Sequence, residues 1–434
     1  MIDDCYDSTC YSLVNQCWCA LIVMVAECQH RNQSNIFLSE SIVNQERLEI
    51  IDDFDTTGIK VMDIMHNPEN HQYYRQNNAK FADVITKILN NNNFEIAIKT
   101  VKTTNDNTTL RMKHVNSDFS VNYTDAVGSS SKPVVLARGL WSNLLTWLDF
   151  GQELAFDQEN ARDVWLIEIT GGPTIDGDCQ PNGKYACPNC GYEDLTDYYW
   201  PALITGVQNY SGQKTLDYVG FSNGCRVGLD ALKNWSASGK SNAGYVFDST
   251  TGSYILSDLS TQPVDRFIGV GCPGAFEGES AFSENFGQHG QDVLDFFARN
   301  GAEHVTGRDI GLRLQEECGF FDIKCQIAAT SLQEVGENRI SRNLGSDYLN
   351  FITSAADQQP GLNLQIPRLL IIYGEHPSGL EQLSDGVVTA EDAFAILAAV
   401  NGTSEGILRV NGVDHSQLPD NGNTKFLIRR NLND

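Results

Sequence analysis

Positive charge is scarce in this chain. It carries 30 Lys and Arg against 56 Asp and Glu, a formal net charge of −26 at pH 7. That balance excludes the basic footprint of a nucleic-acid binder and removes any electrostatic attraction to anionic membranes. Contact with lipid would have to be apolar. The acidic residues are dispersed without a long single-sign block, which reads as a soluble, self-repelling surface.

Long apolar runs are missing as well. Trp18 to Ala26 has the length of a signal-peptide core but is too short for an ordinary transmembrane helix, so no stable membrane insertion is expected. No Lys or Arg precedes Arg31, and Asp3, Asp4 and Asp7 stand where a signal segment carries positive charge. A cleaved signal and a buried helix both remain open for this run. No internal repeat is apparent. No Gly-rich phosphate loop with a following lysine occurs, and the C-x-x-C at Cys187 and Cys190 has no second copy to complete a zinc site.

Cysteine, by contrast, is plentiful. Twelve of them favour an oxidising compartment, with a secreted or extracellular location expected and a cytoplasmic one as the alternative. The group Cys179, Cys187 and Cys190 reads first as disulfide-forming, with unpaired thiols and zinc as alternatives. Cys318 to Cys325 would close a short loop, and Cys225 reads as a small buried thiol.

The most informative stretch is Gly220-Phe221-Ser222-Asn223-Gly224, a G-x-S-x-G pattern. Before it, Leu216, Tyr218 and Val219 form a short β-favouring apolar run. After it, Val227, Leu229, Ala231 and Leu232 recur at helical spacing. A sharp strand-to-helix turn puts strain on the central serine and leaves no room for side chains two residues to either side, which is why both flanks are glycine. The hydroxyl is lifted clear of the sheet at a helix N-terminus, where negative charge is favoured. The chemistry implied is acyl transfer.

A serine of this kind needs a base and an acid to orient it. Residues 367–373 read as a buried strand, followed by Leu383-Ser384-Asp385-Gly386-Val387-Val388, which places Asp385 in a turn. A helix around Ala393 and Ile396 and a strand at 406–410 come next, and then Val413-Asp414-His415-Ser416. Each group lies on a loop after a strand, where α/β sheets present their functional residues. Asp414, beside the histidine, is a rival for the acid.

These motifs resemble the α/β-hydrolase fold, and within it lipases and esterases. The resemblance covers roughly residues 130–434, with a gap in the middle. It implies Ser222 as nucleophile, His415 as general acid and base, and Asp385 as its partner, because the order serine, acid, histidine is the order of that fold. It also implies an oxyanion hole from the backbone N–H groups of Asn223 and Leu140, the latter on the loop after strand 134–137. Arg138 stands where lipases usually carry histidine; a structural ion pair or an anionic substrate group would explain it.

The expected architecture is therefore α/β, with a mostly parallel central sheet flanked by helices and a helical cap inserted before the C-terminal strands. Residues 1–90 form an N-terminal extension of uncertain structure. Residues 91–272 form the first part of the core, opening with a hairpin near 94–115, and 273–365 form the cap. Residues 366–434 complete the core. Phe296 and Phe297 are expected to line an acyl pocket under that cap. The expected activity is hydrolysis of an uncharged acyl ester or lipid, without metal or cofactor. An acyltransferase, thioesterase or amidase using the same residues is a second class, and a non-catalytic hydrolase-fold binding protein a third. Oligomeric state is not legible.

Overall fold

The computed structural model describes residues 95–433, apart from residues 117–131, 170–189, 236–242, 275–279, 354–363, 378–383 and several shorter breaks. The N-terminal extension, its apolar run, Cys179 and Cys187 lie outside the described residues.

The core is one ten-stranded sheet. Its strands in chain order are β1 (Glu95–Lys102), β2 (Thr109–Asn116), β3 (Val134–Ala137), β4 (Val164–Ile167) and β5 (Leu216–Phe221). Then follow β6 (Ala243–Asp248), β7 (Ser253–Asp258), β8 (Val264–Val270), β9 (Arg368–Glu375) and β10 (Ser404–Asn411). Across the sheet they lie in the order β10-β9-β8-β5-β3-β4-β2-β1-β6-β7. From β10 to β4 every neighbouring pair is parallel. From β4 to β7 every pair is antiparallel.

The apolar runs anticipated for the inner parallel strands are buried on both faces, as a parallel sheet between helices requires, while on the edge strand β10 Ile407 and Leu408 are half-buried and Arg409 is exposed. Alternate residues serve opposite faces: Val135 and Ala137 join one hydrophobic cluster, and Val134 and Leu136 the other. The second face is covered by α1 (Leu148–Ala155) and, at the chain's end, Gly422–Asn433, through Phe150, Leu154, Ile428 and Leu432. The first face is covered by α2 (Trp200–Ser211), α3 (Asn223–Trp235) and Ala390–Ala399.

Between β8 and β9 the alternation of strand and helix is interrupted. The helices α4 (Ala281–Arg299), α5 (Gly307–Glu317), α6 (Ile323–Glu334) and α7 (Arg342–Thr353) occupy this segment. A small antiparallel pair, His304–Thr306 with Arg339–Ser341, accompanies them. Ser280 caps α4, its hydroxyl accepting from Ser283 N–H at 3.0 Å and donating to Val387 C=O at 2.8 Å, so the segment's entry is tied to the loop after β9. Phe282, Phe286, Leu314, Leu332 and Leu344 pack into the first-face cluster, so these helices share the main core.

The antiparallel opening hairpin forms as the alternation of its residues predicts, closed by Thr103, Asp106 and Asn107, whose φ is 60°. The hairpin β6–β7 was not foreseen. It extends the sheet beyond β1 and leaves Phe247, Ile255 and Leu256 exposed.

One expectation about sulfur changes: Cys225 is not a free thiol but is bonded to Cys272. Cys190 is disulfide-bonded, as first expected for its group, which removes it as a zinc ligand. The expected Cys318–Cys325 bond is present. Among the described residues no group of three or more His, Cys, Asp or Glu side chains is arranged to hold a metal.

Candidate active site

The turn between β5 and α3 has the geometry its sequence demands. Ser222 sits at φ 51°, a left-handed conformation that a residue with a side chain adopts only under constraint. A Cβ on Gly220 would fall 2.6 Å from Cys225 Cα, and one on Gly224 would fall 2.5 Å from the Arg138 carbonyl oxygen. Both glycines are thus required by close backbone approach, and Gly224 brings the loop after β3 against the serine. Ser222 N–H donates to Val270 C=O at 2.8 Å, fixing the turn to the end of β8.

Two further loops converge on this point, each leaving the carboxyl end of a parallel strand. Asp385 lies beyond β9 and His415 beyond β10, and the two loops are joined by His415 N–H donating to Asp385 C=O at 3.0 Å. The His415 Nδ1 to Asp385 Oδ2 distance is 2.7 Å, and His415 Nε2 to Ser222 Oγ is 2.8 Å. A carboxylate only accepts, so Nδ1 carries the proton and Nε2 is left to accept from the serine hydroxyl. The other carboxylate oxygen of Asp385 accepts from Val387 N–H at 2.9 Å and Val388 N–H at 2.7 Å, which locks its orientation. Asp385 and His415 are buried, at 0% and 1% exposure, so their interaction is little screened by water. Gly271 lies under the imidazole, where a Cβ would come within 3.0 Å of Cε1, and the Phe221 ring packs at 5.0 Å.

Asp414 does something else. Its Oδ1 accepts from Ser416 Oγ at 2.7 Å and Gln417 N–H at 3.0 Å, holding the turn that follows. Adjacent to the histidine in sequence, it belongs to the loop's own scaffold.

Leu140 and Asn223 line the cleft in front of Ser222. The cleft takes in about 540 Å³, part of it open to solvent. Among the described hydrogen bonds neither the Leu140 nor the Asn223 N–H donates to a protein acceptor. Arg138 is buried at 1% exposure and does not line the cleft, which fits a structural role and not a substrate contact.

The segment between β8 and β9 does contribute to the cleft, though not through the residues anticipated. Pro273, Phe282, Leu332 and Tyr348 line it. Phe296 and Phe297 do not; both are half-buried on α4, and Phe296 lies under the Arg313 guanidinium at 4.6 Å. Helical spacing marked an apolar face on α4, but only the packing of α4 against its neighbours decides which turn meets the serine. Trp141 was also missed, although it directly follows Leu140. The Cys225–Cys272 bond had a sequence signal: each cysteine stands just past the carboxyl end of a strand, and β5 and β8 are neighbours.

Behind the cleft, Arg226 on α3 is buried and bonds Asp230 through Nε at 2.8 Å, while its Nη1 donates to the Gly274 carbonyl. Burial works against its charge, but Asp230 outweighs that and raises its pKa above the ordinary arginine value.

No protein-family model matches the chain, and no curated protein matches its sequence. Among solved structures it is similar to a thermophilic esterase from Thermogutta terrifontis, at 12% identity, 78% of this chain, 98% of that one and a TM-score of 0.43. It is similar to an esterase from Exiguobacterium antarcticum at 13% identity, 77% of this chain, 99% of that one and a TM-score of 0.43. It is also similar to the epoxide hydrolase CorEH at 14% identity, 78% of this chain, 98% of that one and a TM-score of 0.43. The strand order, the turn after β5 and the loops after β9 and β10 are those of the α/β-hydrolase fold.

Proposed function

We propose that this chain is a carboxylic ester hydrolase acting through an acyl-enzyme intermediate. Ser222 Oγ attacks the ester carbonyl while His415 Nε2 takes its proton. The oxyanion is received by the N–H groups of Leu140 and Asn223, assisted by the N-terminus of α3. His415 then returns the proton to the leaving alcohol, and Asp385 holds the imidazole and stabilises its charged form. Water repeats the cycle on the acyl-enzyme and frees the acid. Every group in this sequence belongs to the chain, so the reaction calls for no cofactor.

The observation that carries the reading is the continuous hydrogen-bonded chain from Ser222 through His415 to Asp385, at 2.8 and 2.7 Å, with the serine held at positive φ. Neutral, apolar acyl groups suit the cleft, because its lining is mainly apolar and among the described residues includes no Asp, Glu, Lys or Arg. The helical segment 273–365 acts as the cap, since it supplies one wall. Disulfide-bonded Cys225, Cys272, Cys318, Cys325 and Cys190 suit an oxidising compartment. No helix of the described residues is long and apolar enough to cross a membrane.

The test is hydrolysis of a panel of short acyl esters by wild type, Ser222→Ala and His415→Ala. The reading expects turnover in wild type and a loss of at least about a thousandfold in each variant, with circular dichroism unchanged. Turnover retained by folded Ser222→Ala would overturn it.

A further inference from the structure

Two buried charges behind the cleft act on one residue. Arg226, in the first turn of α3, and Asp392, in the first turn of the helix Ala390–Ala399, are 2% and 1% exposed. Arg226 Nη1 donates to the Gly274 C=O and lies 3.5 Å from the Pro273 C=O, while Asp392 Oδ1 accepts from Gly274 N–H at 3.2 Å. Both polar groups of the Gly274 backbone are thus taken by side chains of opposite charge. The approach is close, since a Cβ on Gly274 would collide with the Asp392 carbonyl oxygen.

Neither charge is loose. Arg226 Nε donates to Asp230 Oδ2 at 2.8 Å, and Asp392 Oδ2 accepts from Thr389 N–H at 3.0 Å and from the Thr389 hydroxyl at 3.1 Å. Hydrogen bonds with one ionised partner are roughly twice as strong as neutral ones, and a charge held out of water is costly without them. Buried charges of this kind are a weak source of stability, because apolar side chains of the same size often do as well. What they supply is direction: each bond fixes the orientation of a peptide plane beside Gly274.

Those planes border the cleft. Pro273, immediately before Gly274, lines it. Beyond Gly274 the chain enters α4, where Ser280 Oγ donates to Val387 C=O at 2.8 Å and Phe282 N–H to Gly386 C=O at 3.0 Å. Phe282 and Val387 line the cleft as well. Arg226 belongs to the helix that follows Ser222, and Asp392 to the helix that follows the Asp385 loop, so Gly274 is where the cap's entry meets both. The bonds among Ser222, His415 and Asp385 do not run through it.

We infer that Arg226 and Asp392 are positioning residues that hold the apolar wall at Pro273 against the substrate, and so govern how strongly the site discriminates between chains of different length. Neither side chain lines the cleft, and both act through the Gly274 backbone. The inference rests on the ester-hydrolase reading and adds to it the element that sets chain-length preference. A wall allowed to move back loses contact with the chain and leaves the attack on the carbonyl in place.

The experiment measures kcat/KM for an acyl pair, nitrophenyl acetate and nitrophenyl butanoate, and an alcohol pair, ethyl acetate and butyl acetate. The proteins are wild type, Arg226→Lys, Asp392→Asn and the double variant. Lysine keeps the charge but replaces the planar fork that serves Asp230 and Gly274 together, and asparagine keeps the shape but loses the charge. Each single variant is expected to lower the long-to-short ratio about fourfold in the pair whose chain occupies the cleft, the worth of one methylene contact. The double variant should lower it by less than the product of the two single effects, because both act on one residue. A variant that is merely less stable loses active molecules for both esters alike and leaves the ratio unchanged. Should both substitutions prevent folding, Thr389→Val removes only the hydroxyl that steadies Asp392, and it too is expected to lower the ratio. A ratio unchanged or raised in both pairs for the folded variants, or single effects that multiply in the double variant, would overturn the inference and leave the hydrolase reading intact. Absence of turnover of all four esters by wild type would overturn the hydrolase reading itself.

Discussion

Cys225 and Cys272 form a buried disulfide that ties the first turn of the helix after Ser222 to the residue following Gly271, the glycine on which the His415 ring rests. The bond thus spans the two walls that set the distance between serine and imidazole. Removing it with Cys225→Ala/Cys272→Ala is expected to cost about 2–5 kcal/mol of stability, as loss of a native disulfide usually does. A positioning role adds a second effect. The kcat per active site, counted by burst titration well below the melting temperature, should fall roughly tenfold with KM little changed, because misaligned reacting groups lose rate and not binding. A lower melting temperature with unchanged kcat per titrated site would mean that the bond only stabilises the fold.

Asp385 and Asp414 were rivals in the sequence, and the two loops give them different partners. Asp385→Asn leaves the shape of the turn but removes the acceptor that fixes the imidazole tautomer, so kcat should fall by about three to four orders of magnitude. Asp414→Asn weakens only the bonds to Ser416 and Gln417, and should cost less than tenfold in kcat/KM and about 1 kcal/mol in stability. Steady-state kinetics on the two purified variants, with thermal melts alongside, checks both. The reverse order of severity would move the acid to Asp414.

Much of this site was legible because its parts obey local rules. The two glycines flanking Ser222 announce a turn that only glycine fits, and the apolar runs at β3, β5, β8, β9 and β10 announce buried parallel strands. The acid and the histidine follow from their loops' places after the last two of those strands. What escaped depends on contacts distant in sequence. The hairpin β6–β7 has only half-buried alternation and joins the sheet at an edge far along the chain, beside β1. Helix α4 has its apolar face where the spacing puts it, yet Phe282, in its first turn, reaches the cleft and Phe296 and Phe297, near its end, do not. Tyr348 reads as one aromatic among several on α7; its unpaired hydroxyl is a property of the packed structure alone.

Asp149, in the first turn of α1, gives the fold a pH dependence unconnected with catalysis. Burial pushes its pKa up to about 6, with Lys425 opposing the shift. A folded-state pKa above the unfolded one means that the native protein binds more protons, so stability from this group is present at low pH and is lost as pH rises through about 6. Asp149→Asn removes the penalty. It should raise the melting temperature at pH 8, by the equivalent of up to about 3 kcal/mol, and leave it nearly unchanged at about pH 4. Thermal melts across that range measure the difference, and an equal effect at both ends would show that Asp149 titrates normally.

The central claim is that Ser222 is a nucleophile primed by His415. The most direct measurement is mass spectrometry of the protein after treatment with a fluorophosphonate, followed by mapping of the modified peptide. The account predicts one adduct, on Ser222, formed rapidly in wild type, at least about a hundredfold more slowly in His415→Ala, and absent in Ser222→Ala. A wild-type protein that stays unmodified, or an adduct that maps to another residue and persists in Ser222→Ala, would contradict it.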